Sequence, residues 1–104
     1  MTTVGIVTGA GRGMGAACAA RLVAMVDVLV LVDRDEGSVA EAAKRLTGNG
    51  LRADVEPMGL DVTDGGAITQ ALERADACLA AVSYRLNEAI TEAALTARTS
   101  LCDL

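Results

Sequence analysis

A glycine-rich segment between an apolar run and an alanine-rich stretch constrains the fold of this chain more than any other feature. Residues 8–15 read TGAGRGMG, follow the apolar run at 4–7 and precede a helical pattern at 16–25. Glycines let the backbone turn sharply and approach a ligand without an intervening side chain. The free N–H groups and the positive end of the following helix then face an anion. A strand, a glycine turn and a helix in this order indicate a phosphate site, as for a dinucleotide.

The rest of the chain alternates between apolar runs and helical periodicities. Strands are predicted at 4–8, 27–33, 54–60, 77–82 and 100–104. The second run is continuously aliphatic between acidic ends, which is typical of a parallel strand covered on both faces. The third run contains Pro57, which predicts an edge strand because proline cannot donate to the ladder.

Helices are predicted at 13–25, 36–46 and 86–97. One more helix is predicted before the last of these, from a cap at Thr63 or Asp64 to about residue 75. Their apolar stripes comprise Met14, Cys18, Leu22 and Met25; Val39, Ala42, Ala43 and Leu46; Ile68, Leu72 and Ala75; and Leu86, Ile90, Ala93, Ala94 and Ala97. Strands that alternate with helices form βαβ units with right-handed crossovers. We therefore predict an α/β, Rossmann-like doubly wound parallel sheet of five strands in the order 3-2-1-4-5, with helices on both faces. The 104 residues suit one domain.

Composition excludes several classes of function. The net charge is -5 without a basic block, which argues against nucleic acid or an anionic membrane as partner. No apolar run approaches the roughly 18 residues of a membrane span, and residues 1–10 lack signal-peptide features, so a cytoplasmic location is expected. The chain has no His, and Cys18, Cys78 and Cys102 form no Cys-x-x-Cys pair. Neither a metal site nor a His-dependent nucleophile is expected.

Acidic residues stand at the carboxyl ends of the second and third predicted strands, at the edge where such sheets bind ligands. Asp33 can accept hydrogen bonds from ribose hydroxyls and repels a 2′-phosphate, which favours NAD over NADP. Arg12 and Arg34 suit a phosphate and keep NADP open. Asp61 can meet the adenine amino group while Val62 covers the ring. The alternatives are a structural strand-end acid for Asp33 and a helix cap for Asp61.

Small residues end the fourth predicted strand and would let a nicotinamide ribose lie across the backbone there. The expected cofactor-binding residues are Gly9, Gly11, Arg12, Gly13, Met14, Gly15, Asp33, Arg34, Asp61, Val62, Ala81, Val82 and Ser83. No catalytic residue is expected among them.

Residues 4–64 resemble the start of a short-chain dehydrogenase/reductase. The T-G-x-x-x-G-x-G pattern at 8–15, the strand-end Asp33 and the Asp61-Val62 pair fall where that family has its cofactor motifs. Similarity to this family implies a dinucleotide-binding domain of an NAD(P)-dependent oxidoreductase that is shorter than full-length relatives.

Residues 76–104 resemble the cofactor domain of the saccharopine dehydrogenase family. The likeness rests on the stretches 76–87, 92–95 and 101–104. The sequence departs from that family where Ser83 replaces a usual Pro, and where residues 98–100 replace a Gly-Val-His-like turn. The two resemblances leave open a mixture of two families or a divergent member of one.

The catalytic signature of short-chain dehydrogenases, a Ser and a Tyr-x-x-x-Lys, is missing: Glu88 stands four places after Tyr84, and Lys44 is the sole lysine. Little or no catalysis by this chain alone is expected. Two alternatives are a binding-only or engineered scaffold module with a vestigial nucleotide site, and a phosphorelay receiver-like domain. The receiver needs an acid pair after strand one, where Gly9 and Ala10 stand. A homodimer is expected through the strand edge at 100–104 or through apolar helix faces.

Overall fold

Five parallel strands form the centre of the molecule in a computed structural model that describes residues 2–11, 13–47, 53–81 and 87–103. They are β1 (Val4–Thr8), β2 (Val28–Asp33), β3 (Asp54–Gly59), β4 (Ala77–Ala80) and β5 (Ser100–Asp103). The sheet order is β3-β2-β1-β4-β5. The predicted α/β class, strand number and order are confirmed.

Four helices connect the strands and cover both faces of the sheet. They are α1 (Gly13–Leu22), α2 (Glu36–Thr47), α3 (Gly65–Glu73) and α4 (Asn87–Ala97). One core cluster joins α1 and α2 to the sheet through Ala19 and Val39, and the other joins α3 and α4 through Ile68 and Ile90. Among the described helices, none is both long and apolar enough to span a bilayer.

The strand β2 is buried on both faces, as its continuous aliphatic run predicts. Leu29 and Leu31 face the cluster of α1 and α2, whereas Val30 and Val32 face that of α3 and α4. Among the described strands, β3 borders only β2, so Pro57 lies on an edge strand as predicted. The continuous aliphatic run therefore predicts that β2 lies inside the sheet, and the proline predicts that β3 lies at its edge.

The first helix is shorter than predicted, and its predicted inward face is wrong at the two methionines, whereas Leu22 packs against the core as predicted. The helix α1 ends at Leu22, and Met14 and Met25 are 66% and 73% exposed. The buried positions are instead Gly15, Ala19 and Val23, one place further along. The reason is that α1 approaches the backbone of the preceding turn so closely that only a glycine fits the contact. This contact rotates the small residues, rather than the methionines, towards the sheet.

Within the described residues, the other element boundaries match the predicted ones or differ by one or two residues. The helix α3 ends at Glu73, and Asp64 is its N-cap, whose carboxylate accepts from the Ala67 amide at 3.2 Å. Ala75 lies beyond the helix end and packs against the core. Leu86 and Leu104, at the predicted limits of the fourth helix and fifth strand, lie outside the described residues.

Candidate functional site

All five strands run in the same direction, so their carboxyl ends meet at one edge of the sheet. The chain direction reverses between β1 and β4, which creates a crevice there. Backbone hydrogen bonds hold the turn that follows β1 on both of its sides. The Ala10 amide donates to Val32 of β2 at 3.0 Å, and the Ala81 amide donates to Thr8 of β1 at 3.1 Å. The glycine turn and Ala81 therefore lie at the mouth of the same crevice.

The glycines of the turn are needed for two different reasons. Gly9 and Gly13 have φ angles of 70° and 63°, in the left-handed region that glycine adopts without strain. At Gly15 a Cβ atom would lie 2.0 Å from the Gly9 carbonyl oxygen. Around the Cβ position of Gly13, no described atom outside its chain neighbours and the adjoining backbone of α1 lies within 4 Å. The N–H groups and the positive dipole end of the first turn of α1 suit a phosphate.

The carboxylate of Asp33, at the end of β2, is held by two backbone amides. Its Oδ2 accepts from the Gly11 amide at 2.9 Å, and its Oδ1 accepts from the Asp35 amide at 3.1 Å. The side chain is half-buried beside the glycine turn. A carboxylate has about four lone-pair sites, so these bonds leave about two for further donors. The fixed carboxylate can therefore accept from a pair of vicinal hydroxyls.

Asp61 lies on the same edge, in the turn that leads from β3 to α3. Its Oδ1 accepts from the Thr63 hydroxyl at 2.7 Å and from the Thr63 amide at 2.9 Å. The Thr63 hydroxyl, followed by the Thr63 amide, lowers the pKa of this exposed carboxyl; burial opposes the shift, and the charge of Arg34 adds to it. Asp61 is therefore an exposed, ionised acid with Arg34 nearby, while Asp64 caps α3.

Substitution of Thr63 by alanine tests this environment. Thr63→Ala removes the hydroxyl but keeps the amide, so the pKa of Asp61 should rise part of the way towards its usual value. A depressed folded-state pKa stabilises the fold above the ordinary carboxyl range, about pH 4, and this contribution is lost as the pH falls through the lowered pKa. Carboxyl ¹³C NMR titration measures the shift, with Thr96→Ala on α4 as control. An equal pKa in the wild type and Thr63→Ala would contradict the assignment.

The remaining predicted site residues divide into placed and undescribed ones. Met14 lies exposed in the first turn of α1, beside the open space at Gly13. Val62 is 5% exposed and belongs to the core cluster of α3 and α4. Arg12, Val82 and Ser83 lie outside the described residues. The structure thus brings the four glycines, Asp33 and Ala81 around one crevice and places Asp61 and Arg34 further along the edge.

Two further residues border the site without having been singled out from the sequence. Ser38, in the first turn of α2, has its Cβ 2.8 Å from where a Cβ of Gly11 would be. Thr8 is fully buried at the end of β1, and its hydroxyl has no hydrogen-bond partner among the described residues. Thr8 belongs to the glycine motif, so the motif itself carried a signal for it. Ser38 is separated from Gly11 along the chain, and only the fold brings the two together.

Groups for covalent or metal chemistry are scarce in the described part of the chain. Burial raises the pKa of the Cys78 thiol to about 12, so it stays protonated at neutral pH and is a poor nucleophile. Among the described residues, no cluster of three or more Cys, Asp or Glu side chains is arranged to hold a metal ion. The site offers backbone amides, carboxylates and open space, which suit binding of a phosphorylated ligand.

Comparison with known proteins identifies the class of this fold and site. The short chain dehydrogenase family model matches residues 3–99. The chain therefore belongs to the short chain dehydrogenase family. It is 34% identical to an uncharacterized oxidoreductase of Staphylococcus saprophyticus, over 97% of this chain and 46% of that protein. The chain spans less than half the length of the curated relatives it matches.

Two solved structures show how widely the fold is shared. A short-chain type dehydrogenase/reductase from Mycobacterium ulcerans superposes with a TM-score of 0.82 at 17% identity, over 97% of this chain and 50% of that one. Saccharopine dehydrogenase from Saccharomyces cerevisiae gives 0.77 at 18% identity, over 97% of this chain and 21% of that one. At these identities the likeness concerns the fold alone.

The family match also covers most of the region that resembles saccharopine dehydrogenase. It extends to residue 99, across α3, β4 and α4. One family therefore spans both halves of the sequence, and the saccharopine dehydrogenase likeness reflects the shared Rossmann-like fold. The predicted family is confirmed, and its match includes the glycine turn and the ends of the first four strands.

Proposed function

We propose that this chain binds NAD(H) in preference to NADP(H) at the carboxyl edge of its sheet. The pyrophosphate would lie against the glycine turn and the first turn of α1, and the adenosine ribose would lie on Asp33. The observation that carries the proposal is the Asp33 carboxylate, which two backbone amides hold beside the turn. A carboxylate in this position accepts from the 2′- and 3′-hydroxyls of the ribose.

Electrostatics favours NAD over NADP at this position. A unit charge about 5 Å from a carboxylate of like sign is disfavoured by about 3 kcal/mol at an effective dielectric constant of about 20. The 2′-phosphate of NADP would bring such a charge next to Asp33. Among the described residues, Arg34 follows Asp33 directly and is a cation that could offset this charge, but its charge already acts on Asp61. The balance at the ribose therefore favours a free hydroxyl.

The two ends of the dinucleotide are assigned by position along the edge. We place the adenine next to Asp61, whose ionised carboxylate can accept from the exocyclic amino group. Val62 is buried below this point and supplies apolar support rather than a wide contact surface. The nicotinamide half is assigned to the end of β4, where Ala81 lies half-buried next to Thr8. Sequence position extends this assignment to Val82 and Ser83.

We assign cofactor binding, and no chemical step, to the residues of this chain. Hydride transfer requires a substrate pocket and a proton donor near the nicotinamide. The family's Tyr-x-x-x-Lys is missing, since Glu88 stands where the lysine after Tyr84 would be. The second candidate is a module whose nucleotide site no longer binds.

Titration with reduced dinucleotides separates the two candidates. We expect saturable enhancement of nicotinamide fluorescence with NADH, and binding of NADPH at least tenfold weaker, as a repulsion of over 1.4 kcal/mol requires. Absence of binding to millimolar NADH by a chain with folded circular dichroism would favour the vestigial module. Equal affinity for both dinucleotides would contradict the role of Asp33 while leaving cofactor binding intact.

A homodimer through β5 is a further proposal. Among the described strands β5 borders only β4, and unpaired strand edges invite pairing with a second copy. The exposed apolar side chains Met14, Met25 and Leu95 lie near the two ends of α1 and on α4, so they form no single patch. The edge is therefore favoured over the helix faces.

Light scattering at high concentration tests the dimer. Cys102 is exposed on β5, so Cys102→Lys should place a charge on the edge and reduce the mass to that of a monomer. Gln70→Lys, on the exposed surface of α3, is the matched control and should leave the dimer intact. A wild-type chain that is monomeric under these conditions would show that β5 does not pair.

A further inference from the structure

Gly11 is a glycine for a reason that differs from those of its neighbours in the turn. Unlike Gly9 and Gly13, Gly11 does not have a positive φ angle, so other residues could adopt its backbone conformation. Gly11 is buried, and the space where its Cβ would be is taken by side chains. Asp33 Oδ2 lies 2.7 Å from that position, and the Ser38 Cβ lies 2.8 Å from it. Both distances are below any ordinary contact between carbon and a heavy atom.

The same residue also binds the carboxylate that occupies this space. The Gly11 amide donates to Asp33 Oδ2 at 2.9 Å, while the Asp35 amide donates to Oδ1 at 3.1 Å. Asp35 in turn accepts from the Ser38 amide at 3.1 Å, at the start of α2. The carboxylate is thus held between the glycine turn and α2, by bonds from both sides.

We infer that Gly11 is a positioning residue that sets the preference for NAD over NADP. It acts through Asp33 and does not itself distinguish the two cofactors by contact. A methyl group at residue 11 would overlap Asp33 Oδ2, which is the far end of a rotatable side chain. Rotation of that side chain away from the turn relieves the overlap with Oδ2 but breaks the bond from the Gly11 amide. The Ser38 Cβ is fixed to its backbone, so the start of α2 must also shift slightly from the turn. The displaced carboxylate then no longer lies where the ribose hydroxyls or a 2′-phosphate would meet it. The inference rests on the proposed function, since it assumes that the ribose lies on Asp33.

The first test is Gly11→Ala in the full chain, with Kd values for NADH and NADPH from nicotinamide fluorescence. Loss of a hydrogen bond to a charged group changes affinity by about tenfold or more. We expect the Kd for NADPH divided by the Kd for NADH to fall about tenfold, because NADH should bind more weakly and NADPH more tightly. Gly37→Ala is the matched control, because the nearest atom to its Cβ position is Asp35 Oδ1 at an ordinary 3.5 Å. A purely structural role of Gly11 would weaken both dinucleotides equally and leave the ratio unchanged, which would overturn the inference.

A double-mutant cycle tests whether the effect passes through Asp33. In the Asp33→Ala background there is no carboxylate to displace, so adding Gly11→Ala should leave the ratio of Kd values unaltered. An equal change of the ratio in both backgrounds would show that residue 11 acts independently of Asp33 and would overturn the inference.

Amide hydrogen exchange supplies a measurement that does not require Gly11→Ala to fold. The Gly11 amide should be protected in the wild type and should exchange about tenfold faster in Asp33→Ala, which removes its acceptor. The Ala10 amide, bonded to the Val32 carbonyl, is the internal control. Unchanged exchange at Gly11 would show that Asp33 does not hold the turn. If the wild type bound neither dinucleotide, the proposed function would fail first; if it preferred NADH and Gly11→Ala kept that preference, only this inference would fail.

Discussion

Replacement of Gly15 by alanine is expected to lower the free energy of unfolding by about 3 kcal/mol, at the upper end of overpacking effects. The new Cβ would lie 2.0 Å from the Gly9 carbonyl oxygen and 2.7 Å from the Gly9 carbonyl carbon. These are backbone atoms of a turn that is bonded to both neighbouring strands, so they cannot rotate away. Relief requires α1 to move off the turn, which also opens the small-residue contact of Ala19 with the sheet.

Urea unfolding followed by circular dichroism measures this loss. Gly65→Ala, at the start of α3, is the matched control, because no described atom outside its chain neighbours and the adjoining backbone of α3 lies within 4 Å of its Cβ position. The control should unfold within about 0.5 kcal/mol of the wild type. An unfolding midpoint of Gly15→Ala equal to that of the control would mean that α1 does not approach the turn as described.

The second large effect is expected from Asp33→Ala. Removal of the carboxylate eliminates two hydrogen bonds to the ribose. It also eliminates the repulsion between the carboxylate and a 2′-phosphate. Each charge-assisted bond contributes about 1.5–3 kcal/mol, so NADH should bind at least about tenfold more weakly. NADPH should bind more tightly than to the wild type, because the like charge is gone. Fluorescence titration with both dinucleotides gives the two Kd values.

Two comparisons separate charge from hydrogen bonding. Asp33→Asn keeps an acceptor oxygen but loses the charge, so it should improve NADPH binding while retaining more NADH affinity than Asp33→Ala. Asp54→Ala changes an exposed acid at the opposite end of β3 and should leave both affinities unaltered. If Asp33→Ala and Asp54→Ala changed the affinities for NADH and NADPH equally, the change would be due to net charge and not to a contact with the ribose.

The arrangement of the sheet follows from the sequence because local patterns determine it. An aliphatic run without alternation marks β2 as an inner strand, and Pro57 marks β3 as an edge. Glycines after β1 and acids after β2 and β3 fall at strand ends, so a parallel sheet brings them to one edge. These features require only the period of each element and the connection rules.

The contacts between elements could not be predicted in the same way. Met14 and Met25 fit an apolar stripe of α1, but the approach of Gly15 to Gly9 turns the alanine face inwards instead. Gly11 and Asp33 were each predicted to contact the cofactor, yet nothing in the sequence shows that they bind each other across 22 residues. Such contacts depend on how closely two elements approach, which residue spacing does not record.

Titration of the ¹⁵N-labelled chain with NADH tests the central claim most directly, because it locates the ligand. Saturable shifts are expected for the amides of Gly9, Gly13 and Asp33, with smaller ones at Asp61. None are expected at Thr69 and Thr96, which line the groove between α3 and α4. Shifts confined to that groove, or no shifts at millimolar NADH, would contradict a dinucleotide site at the glycine turn.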